Sequence, residues 1–249
     1  MQFGGIKAIA NMSFRVGNGE LFAIIGPNGA GKSTIFNCIN GIYKPGAGKI
    51  LFEGMDITSL KPHVIAHKGV ARTFQNVALF NNMTVLDNLL LGRNLYLKAG
   101  LIRGGLFYGK ALCEELENRK IVEEIIDFLE IEGVRKKIVG SLPFGIQKRV
   151  ELGRALAMEP QLLLLDEPVA GMNVEETEEM ARFILDINEE FGTTTILVEH
   201  DMGVVMDVSD RIMVVNFGEK IAEGSPEEIS IDPLVIQAYL GEEENAYLP

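Results

Sequence analysis

The stretch GPNGAGKS, Gly26 to Ser33, is the first place in this 249-residue chain where residue types and spacing add up to chemistry. Its glycines let the backbone turn N–H groups inward around a phosphate, and its last two residues add an ammonium and a hydroxyl. An apolar run, LFAII, precedes it and the helix-spaced KSTIFNCIN follows. Strand, loop and helix in that order place the loop on a helix N-terminus, whose partial positive charge favours an anion. Gly26, Pro27, Asn28, Gly29, Ala30, Gly31, Lys32, Ser33 and Thr34 are therefore read as a cradle for the phosphates of ATP. Lys32 would lie on the β- and γ-oxygens and the Ser33 hydroxyl on Mg²⁺.

A second stretch, LLLLDEP, completes that chemistry. Four leucines bury a strand and hold Asp166 at its C-terminal end, where α/β sheets bind ligands. Asp166 can hold Mg²⁺ through water, and Glu167 can point at a water attacking the γ-phosphate. Taken alone, the pair is an ordinary solvated strand end. A third stretch, SLPFGIQKRVELGRAL, sets Gly145 in a loop-like context before a helix pattern rich in cations. It looks like another phosphate-friendly loop in a chain that already has one.

These residues need a frame. Strand-like runs (LFAII, KILFEGMDI, GVARTFQ, QLLLLDEP, TTILVEH, RIMVVNFG) alternate with helix-like ones (VEETEEMARFILDINEEFG, DMGVVMDVS), which implies an α/β fold built on a parallel sheet. Gly41 stops the first helix and Gly54 makes a tight turn. Between the α/β portions, residues 84–158 read as an inserted helical subdomain. Thr84 and Asp87 have the spacing of a capping box, followed by a stripe of Val85, Leu86, Leu89 and Leu90. ELENRKIVEEIIDFLEIEG puts Ile121, Val122, Ile125, Ile126 and Leu129 on one helical face. LKAGLIRGGLFYG reads as an irregular connection, residues 232–249 as a C-terminal tail, and its last stretch, GEEENAYLP, as acidic and solvated.

Composition excludes several function classes. The formal net charge of −12 argues against a nucleic-acid partner, which calls for a basic stripe. Cys38 and Cys113 fit no disulfide or metal framework. His63 and His67 are four apart but lack a third ligand. No apolar run reaches the length of a spanning helix, and MQFGGIKAIA is not a secretory signal. A cytoplasmic protein is expected, with any membrane role supplied by a partner.

Read in order, GPNGAGKS, Gln75 in RTFQN, LPFGIQ, LLLLDEP and His200 in ILVEHD make the chain resemble, over nearly its whole length, the ATP-binding subunit of an ABC transporter. The resemblance implies a P-loop NTPase core of parallel sheet, a small antiparallel sheet at the N-terminal side and the inserted helical subdomain. It implies that Gln75 senses Mg²⁺ near the transmembrane partner and that His200 contacts the γ-phosphate. Phe3 falls where the family has an aromatic stacked on adenine, with a core or frayed residue as the other reading. LPFGIQ resembles the signature written L-S-G-G-Q. Its Gly145 and Gln147, with the helix that follows, would close over ATP held by the opposite subunit of a head-to-tail dimer. That answers the question of the second loop.

Three departures from the family accompany this. Pro143 and Phe144 replace a serine and a glycine of the signature, and proline offers a phosphate neither hydroxyl nor N–H. Asn173, in AGMN, stands where many members have aspartate. Members also carry more residues ahead of the aromatic, so a shortened start is expected. LPFG, AGMN, RTFQNVALFNNMTVLDNLLLG and DPLVIQAYLG resemble the branch serving branched-chain amino-acid and related amide importers. The implied partners are transmembrane permease subunits, a second ATPase subunit and, indirectly, a substrate-binding protein. The implied catalytic residues are Glu167, His200 and Lys32, with Ser33, Gln75 and Asp166 serving the metal. Competing readings are a soluble ABC ATPase acting on DNA or ribosomes, a non-catalytic nucleotide-binding regulator and a P-loop kinase.

Overall fold

A computed structural model describes residues 1–3, 6–96 and 110–245, and leaves aside the side chains of 2, 3, 6, 110–113 and 240–245. The irregular connection expected at 97–109 and the end of the tail, 246–249, fall outside the described residues. The ring of Phe3 does too.

The apolar runs form the sheet. β1 (Gln2–Phe3) and β2 (Ile6–Lys7) make a short antiparallel ladder at the N-terminus. β4 (Leu51–Phe52) and β5 (Met55–Asp56) make another, turning at Gly54. The main sheet has six strands: β3 (Leu21–Ile25), β6 (Val70–Arg72), β7 (Leu162–Asp166), β8 (Thr194–Val198), β9 (Arg211–Asn216) and β10 (Glu219–Gly224). Their spatial order is β10-β9-β3-β8-β7-β6; β10 runs antiparallel to β9 and the remaining pairs are parallel. Every residue of β3 and β7 is buried, as strands covered on both faces must be. β10 is half-exposed, and its register slips between Lys220 and Ala222.

Nine helices among the described residues cover this sheet: α1 (Lys32–Ile39), α2 (Pro62–His67), α3 (Val85–Gly92), α4 (Lys110–Phe128), α5 (Phe144–Leu156), α6 (Val174–Phe191), α7 (Met202–Val208), α8 (Pro226–Ser230) and α9 (Pro233–Asn245). On one side, Phe22, Ile24, Leu164 and Ile196 pack with Ile35 and Phe36 of α1 and Ile65 of α2. On the other, Leu163, Leu165 and Leu197 pack with Phe183 and Ile187 of α6. That second core continues without a break into Leu89 of α3, Val122 and Ile126 of α4 and Val150 of α5. A third, smaller cluster sets Ile212 and Val214 against Val205, Ile229 and Val235. The C-terminal tail of 232–249 therefore opens as a helix, with Val235 buried.

Helix ends follow the residues available. α6 begins with a full capping box, Asn173 and Glu176 each bonding the other's backbone. At α3 the Thr84 hydroxyl accepts from Asp87 N–H at 3.1 Å, but the Asp87 carboxylate takes the Thr84 hydroxyl proton at 2.6 Å. Aspartate, one methylene short of glutamate, makes only half of the box.

Because α4 shares a core with the sheet, trimming it should weaken the whole molecule. Ile126→Ala empties a fully buried site and is expected to cost about 2–5 kcal/mol. Urea titration should show a single transition moved to lower denaturant, without a separate early unfolding of the helices.

Candidate functional site

The Gly26–Ser33 loop leaves β3 at a point only glycine can occupy. Gly26 has φ 144°, and a Cβ there would overlap the Val215 carbonyl oxygen of β9. The loop enters α1 through Gly31, and no side chain caps that helix. Its first N–H groups are available to an anion instead. Lys32 is nearly buried; its ammonium is held across the loop by the Gly26 and Pro27 carbonyls, the latter at 3.0 Å. Asn28, Gly29 and Ser33 are exposed, Thr34 is half-buried and Ala30 packs in the core beneath.

Asp166 closes β7 and is tied to α1, the helix that follows the loop, by a residue the sequence did not flag. Arg72 Nη2 donates to Asp166 Oδ2 at 2.7 Å and Nη1 to Asn37 Oδ1 of α1 at 2.6 Å. The guanidinium lies against the rings of Phe36 and Phe74, 5.5 and 5.1 Å from their centroids. The other carboxylate oxygen, Asp166 Oδ1, is buried and has no hydrogen-bond partner among the described residues. A buried acceptor with no donor suits a cation or its water.

Glu167, Gln75 and His200 are brought together. Gln75 Nε2 donates to Glu167 Oε2 at 2.9 Å, and His200 Nδ1 lies 3.8 Å from the same oxygen. Glu167 takes φ +50°, uncommon for a residue with a side chain. His200 is held from behind by Glu199, which is fully buried and accepts from the N–H groups of Val169, His200 and Asp201. One carboxylate thus joins the segment after β7 to the segment after β8.

Gly145 and Gln147 form a second locus at the start of α5. A Cβ on Gly145 would overlap the Glu176 carboxylate of the α6 cap, and Phe144 packs on Gly171. Gln147 turns its amide back to Leu142 O at 2.8 Å. Pro143 is the N-cap of α5 and supplies no side-chain cap. Phe3 lies in β1 with its backbone opposite Ile6.

The cations that made this helix look phosphate-friendly are turned into the protein. Lys148 donates to Gln75 O and Glu167 O, Arg149 to Glu179, and Arg154 to Ala78 O. Arg72, Lys148, Glu151 and Glu199 are the residues sequence reasoning passed over. A carboxylate directly before His200 and two opposite charges three residues apart on α5 were the available signals.

Two solved structures that the chain matches are nucleotide-binding cassettes. One is an ATP-binding cassette of an ABC transporter in its ADP conformation: 34% identity, TM-score 0.83, covering 97% of this chain and 95% of that one. The other is a dimeric cassette in a post-hydrolysis state, bound to ADP and Pi: 26% identity, TM-score 0.77, covering 91% and 94%. The chain belongs to the ABC transporter family, whose family model matches residues 9–170. A model for branched-chain amino acid ATP-binding cassette transporters matches residues 219–245. Among curated relatives, the high-affinity branched-chain amino acid transport ATP-binding protein LivG of Salmonella typhimurium is 44% identical, over 97% of this chain and 95% of its own length.

Burial pushes the Glu151 carboxyl above its ordinary value of 4.5, against the pull of the Ala78 N–H and Lys148. A raised folded value means that Glu151 stabilises the fold below 4.5 and that this contribution is lost as pH rises through the folded value. Glu151→Gln carries no such burden. Its stability relative to the parent should therefore rise as pH climbs above 4.5, and paired urea titrations across that range measure it.

Proposed function

We propose that this chain hydrolyses MgATP for an importer of branched-chain amino acids or related small amides. The observation that carries this reading is the Gln75–Glu167–His200 cluster, assembled beside a phosphate loop whose helix N-terminus is left uncapped. Support for the substrate class comes from the family model over residues 219–245 and from relatives such as LivG.

In this mechanism the loop amides and Lys32 hold the β- and γ-phosphates and offset the charge that develops there. Glu167 orients the attacking water or takes its proton, and Gln75, bonded to the same oxygen, helps fix its direction. His200, with its side chain largely exposed on Glu199, reaches for the γ-phosphate. Mg²⁺, when bound, would supply positive charge that offsets the charge developing on the phosphates. Ser33, Gln75 and Asp166 are the residues that would hold it, and the unpartnered Asp166 Oδ1 suits that role. Phe3 would supply the adenine platform.

Hydrolysis is conditional on a second ATPase subunit, the same or different, placed head to tail. Gly145 and the start of α5 would close on the nucleotide of that neighbour; counted from Leu142, Ile146 stands at the signature's glutamine, and Gln147, one residue on, turns its amide back to Leu142 O. Closure and opening then drive permease subunits docked near Gln75 and the helices of 84–158, a helical subdomain in this reading. No helix among the described residues is long and apolar enough to cross a membrane. The chain is placed on the cytoplasmic face, attached through the permease, with a substrate-binding protein acting on the far side.

Glu167→Gln should keep ATP binding and stall hydrolysis. Light scattering of that variant is expected to show a doubled mass with MgATP and the monomer mass without it. A mass that stays monomeric with ATP bound would point to a different subunit as the neighbour. Steady phosphate release by the parent, with no acceptor added, separates this reading from a kinase.

A further inference from the structure

The segment from Phe74 to Ala78 has no regular secondary structure, so its backbone must find partners elsewhere. It finds them on α5. Glu151 Oε1 accepts from the N–H of Ala78 at 3.0 Å and of Phe74 at 3.4 Å. Arg154 donates to Ala78 O at 2.7 Å, and Lys148 donates to Gln75 O at 3.0 Å. Lys148 also donates to Glu167 O at 3.2 Å. A lysine left only 3% exposed is costly to bury as a cation. Burial pulls its ammonium below the ordinary lysine value, and Glu151, Glu199, Glu167 and Asp166 work against that shift.

What this ammonium touches is specific. Glu167 N–H is fixed to Val198 O at 2.8 Å, and its carbonyl accepts from Lys148 at 3.2 Å and from Ala170 N–H at 3.3 Å. With both sides of the residue pinned at φ +50°, the direction in which Glu167 projects its carboxylate is set. The same ammonium pins the peptide of Gln75, whose amide meets that carboxylate. We propose that Lys148 is a positioning residue for hydrolysis, holding from α5 the peptide units of Gln75 and Glu167 so that their side chains meet where water is activated. This rests on the role given to Glu167 above and adds a consequence to it. α5 also carries the loop read as closing on the neighbour's nucleotide, so a shift of that helix is felt at the chain's own water-orienting residues.

The test is steady-state ATPase kinetics and nucleotide binding of the full chain as Lys148→Met and Lys148→Arg, with Glu167→Gln as reference. Arginine keeps the positive charge and the N–H donors that the two carbonyls accept from. Lys148→Met is expected to lower kcat by about tenfold to a hundredfold, as loss of alignment does. Its KM and its affinity for a fluorescent ATP analogue should stay within about twofold, and Lys148→Arg should recover most of the loss. Should Lys148→Met not fold, Lys148→Gln against Lys148→Arg gives the same comparison. Full turnover in Lys148→Met with Glu167→Gln inactive overturns the positioning role alone. Equal loss of kcat, nucleotide affinity and melting temperature, without rescue by arginine, overturns it in favour of a structural part. Full turnover in Glu167→Gln overturns the role of Glu167 and this proposal with it.

Discussion

Negative charge gathered at the ends of two neighbouring strands is the constraint on which the rest of the site depends. β7 ends in Asp166 and Glu167 and β8 is followed directly by Glu199, with Glu151 buried behind them. Like charges this close, removed from water, raise one another's energy unless cations or N–H groups face them. Each is answered from a different part of the chain. Arg72 on β6 takes one oxygen of Asp166, three backbone N–H groups take Glu199, and Lys148 on α5 sits among the four carboxylates. What is left over, among the described residues, is one unpartnered oxygen on each of Asp166 and Glu151, and a Glu167 carboxylate reached by Gln75 and His200.

The scaffold is therefore polar at its working end and apolar elsewhere. The leucines of β7 and the aliphatic residues of β3 and β8 make those strands rigid supports, buried on both faces. The loops they carry are held by side chains instead of by ladders. Arg72 links β6, α1 and β7 through two hydrogen bonds, and Glu199 links the two strand ends. These are short, charge-assisted contacts, which combine strength with direction.

Much of this was legible in the chain, and for identifiable reasons. The phosphate loop, the six apolar runs and a helix within ELENRKIVEEIIDFLEIEG announce themselves through local spacing, although that helix starts earlier, at Lys110, and ends at Phe128. β10 does not: EKIAEG has no apolar run, and it is a strand because β9 offers it an edge. Lys148 and Glu151 were visible only as charges on a helix. Their meaning lies in contacts with residues 73 positions away in sequence, which no local pattern encodes. Glu199 was hidden by its neighbour: the histidine drew the functional reading, while the carboxylate beside it does the holding. The helix that follows Asp232 was passed over because its acidic end dominates the composition, although Val235 anchors it to the sheet.

The two borders of the main sheet differ in construction and have the same effect. One is β6, only three residues long. The other is β10, which breaks register at Lys220 and carries Glu219 and Lys220 exposed. A short border and a charged, bulged one both resist the docking of another strand. Any chain exposes apolar strands while folding, a condition that favours runaway sheet growth. Here both borders resist that growth, which leaves loops and helices as the surfaces by which copies can meet.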